Sequence, residues 1–269
     1  MAVESCDDGT GSRPRCPAAT NRAEPLRFQL FSIYNSGVQI RPHEDQRLVL
    51  LIGDETGRLL RRLVVERLEE ADVPFQPAVI GCDDPFQGFE PVAEQISELI
   101  LKFRPHVAHV SVGSTDLRRT VEPDGNSYPA RGLVDIRRDL NRVVDAAKIS
   151  ADTDLVLATA PPVRDDLQDL VRDDDIDRLN VVIREVGQRR DVLVDRWDQA
   201  IDRSATEPEH LESDGHQLTQ AGRERAADST TRAIVDALLR AENPWNQLGR
   251  GGRGSPLDGI PRPRHPELQ

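Results

Sequence analysis

The sequence predicts one three-layer, doubly wound α/β sandwich built on a five-stranded parallel sheet, and three observations carry that prediction. Five short apolar runs recur along the chain: LVLLI (48–52), PAVI (77–80), VAHVSV (107–112), DLVLAT (154–159) and DVLV (191–194). Longer segments with apolar residues at helical spacing separate them. The runs are largely continuous, as expected of parallel strands that helices cover on both faces.

The elements follow in order. After LVLLI a helix is expected with Leu60, Leu63, Val64 and Leu68 on one face, and after PAVI one with Val92, Ile96, Leu99 and Ile100 in register. The helix after VAHVSV carries Leu133, Ile136, Leu140, Val143 and Val144. The next runs around Ile176 to Val186, and a last one from about Thr219 to Arg240. Right-handed crossovers between parallel strands give flavodoxin-like winding, which places a ligand site outside the carboxyl ends of the strands.

This domain spans 47–242. Ahead of it, within 25–46, RFQLFSIYNSGVQIR alternates on both sides of Asn35-Ser36-Gly37 and reads as a hairpin on the sheet edge. Residues 1–24 offer no periodic apolar face to offset the entropy of ordering, so they read as a disordered leader. Residues 243–269 are rich in Gly, Pro and Arg and read as a disordered tail.

Composition narrows the function. The 269 residues carry a formal net charge of -12, which argues against nucleic acid as a partner, because phosphate binding needs a basic face. No run approaches the roughly 18 apolar residues of a membrane span, and the first thirty residues hold no run of signal-peptide type. A cytoplasmic protein without a membrane partner is expected. Cys6, Cys16 and Cys82 are odd in number and show no metal-ligand spacing; Cys6 and Cys16 read as two reduced thiols in the leader, with a Cys6–Cys16 disulfide as the alternative. No cofactor is implied.

Three segments fall at expected strand ends or helix starts: IGDET (52–56), VGSTD (112–116) and SDGHQLTQAG (213–222). In this order and spacing they resemble the SGNH or GDSL hydrolases, a family of esterases, lipases, thioesterases and carbohydrate deacetylases. The resemblance covers about residues 47–240 and extends to RPHVAHVSVGSTDL, LVDIRRDLNRVVDAAK, TAPPV and LNVVIREV. It implies a Ser nucleophile on the first turn, donors for an oxyanion, and a His oriented by an Asp. By position, the family's Ser falls at Glu55, its backbone oxyanion Gly at Gly88 in PFQGFEP, and its Asn at Thr115. The closing Asp falls at Asp214 and the His position at Gln217. Asp54 and Asp116 take positions that brace the backbone in the family.

A carboxylate at a helix N-terminus is held as the anion by the dipole and the free N–H groups. Glu55 is therefore expected to occlude the N–H groups that would meet a substrate oxyanion. Losing a triad nucleophile alone costs roughly a millionfold in turnover. The resemblance thus implies a non-hydrolytic binding or regulatory protein for a small acyl or carbohydrate ligand. The alternative is a rebuilt hydrolase, using His216 with Asp214, or a divalent cation held by Asp54, Glu55, Asp116 and Asp214. Thr56 and Ser114 supply hydroxyls beside the site but read as structural, and His106 and His109 read as packing or surface residues.

Overall fold

The computed structural model describes residues 31–32, 46–81, 86–121, 127–150, 152–163, 170–201, 210–212 and 217–242. The expected leader and tail, the three cysteines, Asp214 and His216 lie outside the described residues, as does most of the expected edge hairpin.

The five expected strands are present as β2 (Gln46–Gly53), β3 (Gln76–Gly81), β4 (Val107–Ser111), β7 (Asp154–Ala158) and β8 (Leu193–Asp195). A two-residue strand from the hairpin region, β1 (Phe31–Ser32), pairs in parallel with β3 at the edge. The sheet order is β1-β3-β2-β4-β7-β8, with every pairing parallel. Among the five expected strands this is the flavodoxin-like winding, and the order reverses between β2 and β4. Gly53 and Ser111 stand opposite each other there, at the carboxyl ends of those two strands.

Side-chain alternation along each strand divides the core into two layers. Leu48, Leu50 and Ile52 of β2 pack with the helices α2 (Phe89–Phe103), α3 (Leu133–Ala147) and α4 (Asp173–Arg190). Val49 and Leu51 pack with α1 (Glu55–Glu70), α6 (Gln220–Glu242) and Trp197 of the short α5 (Trp197–Ala200). The expected helical faces are the buried ones, apart from partly buried Leu63, Leu99 and Leu133 at their margins. Each fully buried Leu, Ile or Val contributes about 1.5–3 kcal/mol relative to exposure.

Besides the short α5, three elements were not expected from the sequence. A 3-10 turn, Thr115–Leu117, follows β4, and an antiparallel pair, β5 (Arg119–Val121) and β6 (Ser127–Pro129), stands beside it. Strands of three residues are too short for alternation to be read. Among the described residues no helix is long and apolar enough to cross a membrane.

Candidate functional site

The site is built where three turns meet at the carboxyl ends of β2 and β4. Asp54 leaves β2 in extended geometry and caps α1. Its Oδ1 accepts from the amides of Thr56 at 3.0 Å and Gly57 at 3.3 Å, as an N-cap side chain does. Its Oδ2 accepts from the Ser114 hydroxyl at 3.0 Å, and its own amide donates to the Ser111 carbonyl at 3.1 Å. One buried side chain thus ties the turn after β2 to the turn after β4. Burial pushes the Asp54 carboxyl above its ordinary range, against the opposing hydrogen bonds from Ser114, Gly57 and Thr56. A side chain at Gly53 would not fit, because its Cβ would lie 2.8 Å from both the Gly57 Cα and the Ser111 Oγ.

The third turn is tied to the same place. The Phe86 amide donates to the Gly53 carbonyl at 3.0 Å, bringing residues 86–88 to the end of β2. Gly88 then caps α2 with φ +111°, a conformation that L side chains rarely adopt. A Cβ there would sit 2.3 Å from Oδ1 of Asp116. Asp116 holds this junction: Oδ2 accepts from the Phe89 amide at 2.9 Å and Oδ1 from Arg131 at 3.2 Å. Arg131 also donates to the buried Asp139, which accepts from Arg142 at 3.1 Å. Burial raises the Asp116 carboxyl above its ordinary range despite Phe89 and Arg131. At Asp139 burial acts the same way, but the hydrogen bonds from Arg131 and Arg142 outweigh it and lower the carboxyl. Asp54 and Asp116 therefore brace the backbone where the three turns meet.

Glu55 behaves differently from expectation. The amides of Thr56 and Gly57 are taken by Asp54, and the Glu55 side chain, 59% exposed, is gripped by Arg58 one turn along at 2.5 and 3.2 Å. It does not occlude those amides, and the hydrogen bond from Arg58 is what holds its carboxyl below the ordinary range. Thr115 contributes a hydroxyl oxygen that is buried and has no hydrogen-bond partner. Ser114 serves the brace. Gln217 is exposed, and its carbonyl accepts from the Glu212 amide at 2.7 Å where Leu211 and Leu218 bridge. The described residues thus bring Asp54, Glu55, Gly88, Thr115 and Asp116 to one sheet edge. Among the described residues no group of three or more His, Cys, Asp or Glu side chains could hold a metal ion, so Asp54, Glu55 and Asp116 form no such cluster.

One constellation escaped the sequence reading. His109, on β4, bonds through Nε2 to Asp195 Oδ2 at 3.0 Å. Asp195 also accepts from Ser229 at 2.5 Å and Thr230 at 2.7 Å, and the Trp197 indole donates to the Thr230 hydroxyl at 3.0 Å. This network lies in the layer between the sheet and α6. Its members are far apart in sequence, and the one local signal is an Asp closing the apolar run DVLVD. His106, read as packing, accepts from the Leu48 amide at 3.0 Å through Nδ1.

No family model matches the chain, and no curated protein matches it. Solved structures do. A lipase/acylhydrolase from Enterococcus faecalis superposes with a TM-score of 0.57 at 20% identity, covering 71% of this chain and 96% of that one. An acetyl xylan esterase gives 0.55 at 16% identity, over 70% and 99% of the two chains. A GDSL-like lipase from Bacteroides thetaiotaomicron gives 0.53 at 15%, over 76% and 92%. Strand order, helix placement and these likenesses agree: the chain has the SGNH/GDSL hydrolase fold.

Proposed function

We propose that this chain is a non-hydrolytic member of the SGNH/GDSL group that uses the crevice at the β2 and β4 ends to bind a small acyl or carbohydrate ligand. The observation that carries the reading is Glu55. It is the first residue of α1, at the position where the resemblance places the nucleophile, and its carboxylate is bound to Arg58. An ionised carboxylate held by a guanidinium is a poor nucleophile and a poor base. Thr115 at the Asn position and Gln217 at the His position point the same way, because nucleophile and base act as a unit. The nearby Ser114 hydroxyl does not substitute, since it donates to Asp54.

The test is turnover. Full-length protein incubated with p-nitrophenyl acetate should release p-nitrophenol no faster than buffer. Saturable turnover that disappears in Glu55→Ala would overturn the reading.

A further inference from the structure

We draw no further inference here: the strongest candidate, the buried cluster of His109, Asp195, Ser229 and Thr230 between the sheet and α6, carries nothing beyond the fold, because both Asp195 oxygens are bonded to the other three side chains and serve to hold β4 and β8 to α6.

Discussion

Asp54 and Glu55 are neighbours in sequence and opposites in the structure. Asp54 is buried, and both its oxygens are committed to backbone amides and Ser114. Glu55 is exposed and its one described commitment is to Arg58 on its own helix. The same contrast separates Asp116, which holds Phe89 and Arg131, from the adjacent Thr115, whose hydroxyl has no partner. Asp54 and Asp116, which hold the three turns together, are committed through both carboxylate oxygens, whereas the described bonds of Glu55 stay within its own helix and the Thr115 hydroxyl has no partner. Stability therefore constrains Asp54 and Asp116 more tightly than Glu55.

The contrast can be broken most sharply at Asp116. Asp116→Ala would leave the Phe89 amide without its acceptor and Arg131 short of one anion, and it is expected to cost about 3–5 kcal/mol, the usual result of removing one partner from a buried ion pair. Urea denaturation reads this directly; a loss under about 1 kcal/mol would mean that the brace is ornamental.

A smaller effect is expected at Asp54, and there its sign depends on the replacement. Asp54→Ala removes an N-cap and should cost about 1–2 kcal/mol. Asp54→Asn keeps an acceptor for the amides and removes the buried charge. The folded-state carboxyl is raised by burial, so its stabilising protonation is complete below the ordinary value of 3.8 and is lost as pH rises through the folded-state value. The stability of Asp54→Asn relative to the parent should therefore improve as pH is raised from that region toward neutrality, then level off. Urea midpoints across that range with a constant difference would contradict the assignment. Asp139, which is lowered, acts oppositely: its contribution is present above the ordinary carboxyl range and lost as pH falls through its folded-state value.

The smallest effect belongs to Glu55. Glu55→Ala removes an exposed pair three residues apart on a helix and should change stability by no more than about 0.5 kcal/mol. A cost comparable to that of Asp54→Ala would place Glu55 among the braces and erase the distinction.

Much of this was legible in the sequence. The continuous apolar runs marked the five strands β2, β3, β4, β7 and β8, because parallel strands covered by helices on both faces carry no alternation to misread. The turn motifs located Asp54 and Asp116; Asp54 caps the helix that follows it, whereas the partners of Asp116, Phe89 and Arg131, lie 27 and 15 residues away. The direction of Glu55 was misjudged for a local reason: an N-cap Asp already satisfies the amides, and an Arg three residues on is the nearer partner. The His109–Asp195 pair was not legible, since 86 residues separate its members and only the fold brings them together. The Arg131 link between Asp116 and Asp139 depends on how α3 docks, which periodicity places on a face but does not rotate into register.

Restoring the reacting groups on the braced frame tests the central claim most directly. Glu55→Ser supplies a hydroxyl at the start of α1, Thr115→Asn an oxyanion donor, and the exchange His216→Gln with Gln217→His moves the imidazole to the family position three residues after Asp214. Each change alone should leave p-nitrophenyl acetate untouched, since nucleophile and base act together. The combined variant should hydrolyse it at a rate measurable above the parent, though far below a natural esterase, because nothing around the introduced groups is chosen to hold them in reacting geometry. A combined variant that folds with parental stability and still shows no rate above the parent would contradict the claim that only the reacting side chains, and not the frame, have been lost.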